Sequence, residues 1–481
     1  MQIKEYEKYK QNLGFIAILL FILYIIYRTF IPSQSETVSN DKSINLPVLD
    51  TFTKIKTVNL PFNDISAIAA GGSHILVLKK NGTVWAAGFN RKGQLGIGKS
   101  GDESHEKNFV QSKDKNGPVT DASAIAAGNN YSLILKKDGT VWAAGSNHYG
   151  QLGIGESGED VHEKYFVQIQ DKTVKDKHVP ITDVIAIAAG YWHSFIIKKD
   201  GTVWATGLND YGQLGIEKSK QGDHVKSFIQ VNDENGPITD AAAVSAGDLH
   251  SLILKKDGSV WAAGLNSFGQ LGIDRFSDEK GEHIFVQSKY KYGYYNNKAK
   301  TISAGFFHSL IIQTSGHVYA AGSNTYGELG IGYRSKSGCE ISFVKTHDDK
   351  DKEVSNAVAI AAGFEQNFVL KRNGTVWGTG VNQPDDRDVN KPDVEGIRYK
   401  AFSFLEKASS VLRYFGRRWH RPEPEIDKRA YSFIRLKDST GWYIANTVAI
   451  AANRNYGLIL KKDGTVWIIG ANILEKPTDE K

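Results

Sequence analysis

The chain has 481 residues, of which 41% are hydrophobic, so it is long and apolar enough to bury a large core. Its 59 Lys and Arg residues nearly balance 53 Asp and Glu residues, and the net charge of +6 does not indicate a nucleic-acid-binding protein. The single cysteine, Cys339, excludes an internal disulfide framework.

The chain begins with a short basic segment, 1–12, and an apolar run, 13–31, that only Arg28 and Thr29 interrupt. The run is near the minimum length for a bilayer span, and we predict a signal-anchor helix there. A cleaved signal peptide is the alternative, but bulky residues stand where a signal peptidase needs small ones. Lysines before the span favour a cytoplasmic N-terminus. The protein is then a single-pass membrane protein in which a polar linker, 32–50, leads to a domain on the non-cytoplasmic side.

One unit, clearest from Ala186 to Gly215, is repeated seven times in the rest of the chain. The copies recur at intervals of about 60 residues, with one longer interval before the last, which is typical of a repeat architecture. Each copy has an alanine-rich piece, two β-branched runs around a glycine turn, and a Gly-Gln-Leu-Gly piece that leads to another strand-like run. This pattern predicts four antiparallel strands and hence a propeller blade. The copies begin at Ala67, Ala124, Ala186, Ala243, Thr301, Ala359 and Ala449.

The turn in the middle of each unit is Asn-Gly or Asp-Gly in all copies but the fifth, which has Ser315-Gly316. Such pairs between two β-branched runs indicate a β-hairpin. We expect a type I′ turn, which needs positive φ at both central residues.

The pieces A-x-G-x-x-H-S, D-G-x-V-W and G-Q-L-G-x-G resemble the regulator of chromosome condensation repeat. The resemblance covers roughly residues 51–474 and leaves a tail, 475–481. It implies a seven-bladed propeller and, with the predicted anchor, a bacterial-type membrane-anchored member. The predicted fold is thus all-β, with seven four-stranded antiparallel blades after one transmembrane helix and with one helical insertion.

A spare strand-like segment, 52–58, stands before the first copy, whereas the last copy lacks its outer strand. We predict that this segment supplies the fourth strand of the seventh blade, which would remove a free sheet edge.

The longer interval before the seventh copy contains an insertion, 383–428. It predicts an amphipathic helix that ends near Gly416, because apolar residues recur there at helical spacing. A basic cluster around Arg417, Arg418, Trp419 and Arg421 follows. The insertion is interpreted either as a helical cap packed on the propeller or as a basic docking element for a partner or an anionic surface.

Two patterns match known motifs in sequence but not in the structural context that the chemistry needs. Residues 93–100 satisfy a P-loop pattern, but no helix is predicted after them, and the same place varies among the other copies, so the lysine and serine are incidental to the repeat. Four histidines share one position of the unit, where we place Tyr131, Asn367 and Tyr456 in three other copies: His74, His193, His250 and His308. Since the histidines belong to different blades, a hydrogen bond to the backbone of the next blade is a better interpretation than a metal site. We expect no catalytic residues, no cofactor and no metal.

One face of the predicted ring differs in every blade. The turns between the first and second strands and the connections between the third and fourth strands emerge there, while the near-uniform Asp-Gly turns emerge on the other face. Exposed aromatic and arginine residues suit a protein interface. The alternative is that these aromatics pack between blades, which we also expect of Tyr149, Tyr211, Phe268 and Tyr326. Candidate partner-binding residues are Tyr191, Trp192, Asp248, Phe306, Phe307, Phe364, Glu365, Arg454, Arg417, Arg418, Trp419 and Arg421.

Two functions remain open. The first is a non-enzymatic, membrane-anchored scaffold that binds a protein partner through the variable face. The resemblance supports it, because bacterial members of the family include inhibitors that bind an enzyme in this way. The second is guanine-nucleotide exchange on a small GTPase, the activity of the family's best-known eukaryotic member. No wedge-like exchange loop is recognisable in this sequence. The identity of the partner lies beyond the sequence.

Overall fold

A computed structural model describes residues 56–58 and 63–470, except 172–178, 218–223, 278–280, 292–297, 334, 336, 381–430, 439 and 454–455. All of them belong to one compact unit, Leu46–Lys481. The predicted span 13–31, the linker 32–50, the insertion 383–428 and the tail 475–481 lie outside the described residues. Within the described part of the chain, no helix has the length and apolar character needed to cross a bilayer.

The described chain forms seven sheets, each with four antiparallel strands, as predicted for a seven-bladed propeller. In two of them a small hairpin extends the sheet through a parallel pairing with the outer strand. The chain first forms β1 (Lys56–Val58). Blade one has β2 (Ile65–Ala70), β3 (His74–Lys79), β4 (Val84–Phe89) and β5 (His105–Gln111). A small hairpin, β6 (Lys113–Asp114) and β7 (Gly117–Pro118), leads to blade two with β8 (Ala122–Ala127), β9 (Tyr131–Lys136), β10 (Val141–Ser146) and β11 (His162–Gln168). Blade three has β12 (Val184–Ala189), β13 (His193–Lys198), β14 (Val203–Gly207) and β15 (Val225–Gln230).

The remaining blades repeat this order. After a second small hairpin, β16 (Asn232–Asp233) and β17 (Gly236–Pro237), blade four has β18 (Ala241–Ala246), β19 (His250–Lys255), β20 (Val260–Gly264) and β21 (Glu282–Gln287). Blade five has β22 (Ala299–Ala304), β23 (His308–Gln313), β24 (Val318–Ser323) and β25 (Cys339–Lys345). Blade six has β26 (Ala357–Ala362), β27 (Gln366–Lys371), β28 (Val376–Gly380) and β29 (Ile434–Arg435). Blade seven has β30 (Thr447–Asn453), β31 (Tyr456–Lys461) and β32 (Val466–Gly470).

The ring closes through β1, which pairs antiparallel with β32 as the fourth strand of blade seven. Thr57 lies opposite Trp467, and Val58 lies opposite Val466. The first and last strands of the propeller therefore share one sheet, and the prediction of a closing strand is confirmed over residues 56–58.

The hairpin turns exist where predicted, but the predicted type I′ geometry is wrong. In blade three, the Gly201 amide donates to the Lys198 carbonyl at 2.8 Å, and Gly201 has φ of 86° whereas Asp200 does not have positive φ. This is a type I turn closed by a glycine bulge, the form of a longer hairpin loop. Asp200 is favoured for another reason, because its Oδ1 accepts the Thr202 amide and hydroxyl.

The core lies mainly between blades. One cluster joins Phe195 and Val203 of blade three to Ile253 and Trp261 of blade four. The second strand of each blade is almost wholly buried, because it is the central strand of a sheet covered on both faces by neighbouring blades. Each blade is thus stabilised by its contacts with the neighbouring blades, so a defect at one interface also destabilises the other blades of the ring.

Candidate protein-binding face

The two faces of the ring are built from different connections. We call "turn face" the side that carries the Asp-Gly hairpins and the links between blades. There the Ala122 amide of blade two donates to the Gly82 carbonyl of blade one. We call "loop face" the opposite side, which carries the turns between the first and second strands and the connections between the third and fourth strands.

The first residue of several loop-face turns lines a small recess at the end of the central channel. One alanine from each blade forms its wall, and blades three to six add Tyr191, Asp248, Phe306 and Phe364. Four of the predicted binding residues therefore converge on this channel mouth. Tyr191 is 9% exposed and Asp248 only 3%, so both are largely buried where they line the recess. Phe306 and Phe364 are partly exposed, with ring centroids 4.0 Å apart.

The second residue of these turns packs on the preceding blade. Trp192 lies 5.1 Å from Tyr149, and Phe307 lies 4.7 Å from Phe268, measured between ring centroids. Both belong to an apolar cluster that includes Leu249. The packing expected of Tyr149 and Tyr211 is confirmed by this cluster, and that expected of Phe268 by its contact with Phe307. Trp192 and Phe307, which were also candidates for partner contact, serve as inter-blade packing residues.

Other aromatic side chains on the loop face are more exposed than the predicted ones. Phe276 is 44% exposed in the connection between β20 and β21, and Tyr326 and Tyr333 are 42% and 46% exposed between β24 and β25. With Phe306 and Phe364 they form what we call the aromatic sector, which belongs to blades four to six. Sequence reasoning missed Phe276 and Tyr333. The sequence does contain a signal for them: blade two has the polar residues Ser157 and Glu156 at the positions of Phe276 and Tyr333.

The remaining candidates divide into two groups. Glu365 is partly exposed on the loop face, at the position that Phe307 has in blade five. The other candidates, Arg454, Arg417, Arg418, Trp419 and Arg421, lie outside the described residues.

The recurring histidines hold the blades together beneath this face. His193 Nε2 lies 2.8 Å from the Ser251 hydroxyl of blade four, which donates to the Gln213 carbonyl of blade three. Complete burial lowers the pKa of His74, His193 and His250 to about 3, so these rings are neutral at pH 7. The contact between blades was predicted, but its acceptor is a side chain rather than the backbone.

Tyrosine at the same position reaches further. The Tyr131 hydroxyl donates to the His193 carbonyl at 2.6 Å, and the Tyr456 hydroxyl donates to the Gly71 carbonyl at 2.7 Å. For these two copies the predicted backbone hydrogen bond is confirmed. Asn367 was wrongly placed in this group, because it occupies the serine position and accepts from His308. Gln366 is the histidine counterpart in blade six.

The P-loop-like residues 93–100 lie in the connection between β4 and β5. The Gly98 amide donates to the Lys164 carbonyl of blade two, so a backbone donor that a phosphate would need is used within the protein. Within the described residues, no group of three histidine, cysteine, aspartate or glutamate side chains is arranged to hold a metal ion.

Glu328 of blade five replaces the buried glutamine of the Gly-Gln-Leu-Gly motif. It is 2% exposed and accepts the Ser323 hydroxyl and the Tyr326 amide. Burial raises the pKa of this carboxyl above its usual 4.5, and the hydrogen bonds only partly oppose that effect. Ionised Glu328 therefore costs folding free energy once the pH rises above that usual pKa.

We expect Glu328→Gln to raise the free energy of unfolding at pH 7 by about 1 kcal/mol or more, because a neutral amide is cheaper to bury. The gain should shrink as the pH falls towards 4.5. Urea denaturation of both proteins across this pH range measures it, with Gln270→Glu of blade four as the control that should destabilise. A gain that is independent of pH would contradict the explanation.

The comparisons with known proteins agree with the architecture. Sequence profiles for the regulator of chromosome condensation (RCC1) repeat match five segments in one form and three longer segments in another: 65–94, 122–151, 184–213, 241–270, 299–328, and 81–135, 138–197, 200–254. The Arabidopsis thaliana ultraviolet-B receptor UVR8 is 28% identical over 283 residues, which are 59% of this chain and 58% of the receptor. The secretion-regulating guanine nucleotide exchange factor of Bos taurus is 27% identical, with 57% of this chain and 56% of that protein covered.

The matched part thus spans little more than half the length of these relatives. Among solved structures, Prp20p from Saccharomyces cerevisiae has a TM-score of 0.58 and 19% identity, with 86% of this chain and 85% of that one covered. That similarity shows the fold. The repeats, the seven blades and the relatives together place the chain in the regulator of chromosome condensation repeat family.

Proposed function

We propose that this chain is a membrane-anchored scaffold that binds a protein partner through its loop face. The observation that carries the proposal is the aromatic sector, in which Phe276, Tyr326 and Tyr333 are more than 40% exposed. Large aromatic side chains at a surface are typical anchors of protein interfaces. The rigid ring beneath them reduces the ordering cost of binding.

The channel mouth supports the same face. Phe306 and Phe364 stack across two blades at a recess walled by alanines, which offers room for a side chain of a partner. The turn face has a uniform hairpin in most blades, and its exposed aromatics, Trp442 and Tyr443, lie in the link between blades six and seven. The two faces can therefore be tested against each other.

We expect the triple variant Phe276→Ser, Tyr326→Ser, Phe364→Ser to lose partner binding by at least about 30-fold, because each aromatic anchor contributes on the order of 2 kcal/mol. Affinity purification from the native cells identifies the partner, and titration of the purified pair gives the Kd. Trp442→Ser is the matched control, since Trp442 is 76% exposed in a link of the turn face. The proposal fails if the triple variant, still folded by circular dichroism, binds as tightly as the parent.

Guanine-nucleotide exchange on a small GTPase is the second candidate, favoured by the similarity to the bovine exchange factor. Exchange requires the ring on the cytoplasmic side, whereas the predicted anchor 13–31 with its preceding lysines favours the opposite side. Protease digestion of the ring in intact cells separates the two candidates. Digestion from outside supports the scaffold, and protection that ends on permeabilisation makes nucleotide-release assays the next test.

A further inference from the structure

The seams between neighbouring blades are locked by one recurring hydrogen-bond arrangement near the loop face. His74 bonds the Ser132 hydroxyl at 2.9 Å, and His250 bonds the Ser309 hydroxyl at 2.9 Å. Each serine then donates to the backbone carbonyl of the Gln in the preceding blade's Gly-Gln-Leu-Gly motif. Histidine makes this bond from blades one, three and four to a serine and from blade five to Asn367. Tyrosine in blades two and seven instead donates to a backbone carbonyl of the next blade.

The seam between blades six and seven lacks this arrangement within the described structure. Gln366 stands in the histidine position, is 3% exposed, and has no hydrogen-bond partner for either side-chain amide atom among the described residues. The serine position of blade seven is Gly457, which has no side chain to offer. The Phe368 ring fills the space, because a Cβ at Gly457 would lie 2.5 Å from it.

The sequence of blade six explains why the lock is lost as a whole. The serine of each lock needs the carbonyl of a Gly-Gln-Leu-Gly motif in the preceding blade as its acceptor. After Gly380 the chain reads Val-Asn-Gln-Pro, so blade six does not have that motif. A serine at position 457 would have no such acceptor, and glycine with an aromatic neighbour is consistent with its absence.

The same seam remains bonded at the turn face. The Thr447 amide of blade seven donates to the Gly374 carbonyl of blade six at 3.2 Å, as at the corresponding position of the five seams from blade one to blade six. Phe368, Ile434, Ile459 and Ile469 form an apolar cluster between the two blades. Among the described residues, the seam is thus hydrogen-bonded at its turn-face end and joined by apolar contacts in its middle.

We propose that the ring opens at the seam between blades six and seven, with the turn-face end as hinge and the loop-face end as the side that parts. A buried amide without partners favours the opened state, in which water can bond it. Apolar contacts are non-directional and tolerate sliding better than a bonded side-chain pair. The proposal is independent of the loop-face partner, because it concerns the motion of the ring itself.

The labelling rate of single buried cysteines in the full-length protein tests this opening. Ile459→Cys and Ile253→Cys are matched probes, because they share one position of the second strand and are 1% and 0% exposed. Ile459 faces blade six and Ile253 faces blade three. With Cys339→Ala as background, we expect the thiol at 459 to react about tenfold faster than that at 253 under native conditions.

Two sets of substitutions test whether the missing lock causes the faster labelling at 459. Gln366→His with Phe368→Leu and Gly457→Ser should install the histidine–serine bond, without the carbonyl acceptor of the other locks, and slow labelling at 459. His193→Gln with Ser251→Gly should copy the unlocked seam into blades three and four and speed labelling at 253. If the first set does not fold, the second still decides. Equal rates at 459 and 253, or a rate at 253 that ignores loss of the lock, would overturn the proposal.

Discussion

Deletion of residues 51–58 is expected to destabilise the whole ring by roughly 5 kcal/mol or more, which is comparable to the total stability of an ordinary domain. The reason is the pairing of β1 with β32, in which Thr57 lies opposite Trp467. Without β1, the β32 edge loses its partner and blade seven loses its fourth strand. Because the cores lie between blades, blade seven then weakens its contacts with blades six and one.

Hydrogen exchange at distant blades measures this effect. If closure stabilises the ring as a unit, the amides of β13 in blade three, far along the chain, should lose protection together with those of β31. Deletion of residues 33–40 from the linker is the control of equal length. Loss of protection confined to blade seven would show that β1 merely covers one end.

The second large effect is expected at Gly264, where β20 carries a bulge. Gly264 has φ of 108°, and a Cβ would lie 2.4 Å from the Leu249 carbonyl oxygen. Gly264→Ala must therefore move backbone that also carries His250 and its bond to blade five. We expect a loss of about 4 kcal/mol or more in the free energy of unfolding.

Gly236 provides the matched control for this substitution. It has φ of 109°, but nothing lies within 4 Å of a Cβ placed there. Gly236→Ala should cost only about 1 kcal/mol, the strain of a left-handed backbone without a steric contact. Denaturant titration of both variants separates the cost of backbone strain from the cost of a steric clash. Equal losses would mean that φ alone decides the effect at Gly264.

Much of the fold could be predicted because the unit is repeated. The hydrophobic pattern around Trp204 predicts the same strands in every copy, and the spare segment 52–58 has a place only as a closing strand. The turn type could not be predicted, because Asp200-Gly201 suits two hairpin forms. The length of the loop, set by the Lys198 and Thr202 pairing, decides between them.

The candidate site was predicted less completely. The variable residues of the loop face could be identified, but adjacent ones take opposite roles: Tyr191 lines the channel mouth, while Trp192 packs on Tyr149. That division depends on the inclination of neighbouring blades, which a sequence does not record. Phe276 was missed because its position is polar in other copies. An aromatic residue at such a position indicates a binding site only if its side chain is exposed, and the structure is needed to show that.

The most direct test of the scaffold function is site-specific photocrosslinking in the native cells, with a photoreactive residue at Tyr326 or at Trp442. These positions are 42% and 76% exposed on the loop face and in a turn-face link. We predict a protein adduct from 326 that disappears when Phe306→Ser and Phe364→Ser are added, and no such adduct from 442. An adduct only from 442, or one from 326 that survives both substitutions, would contradict binding through the loop face.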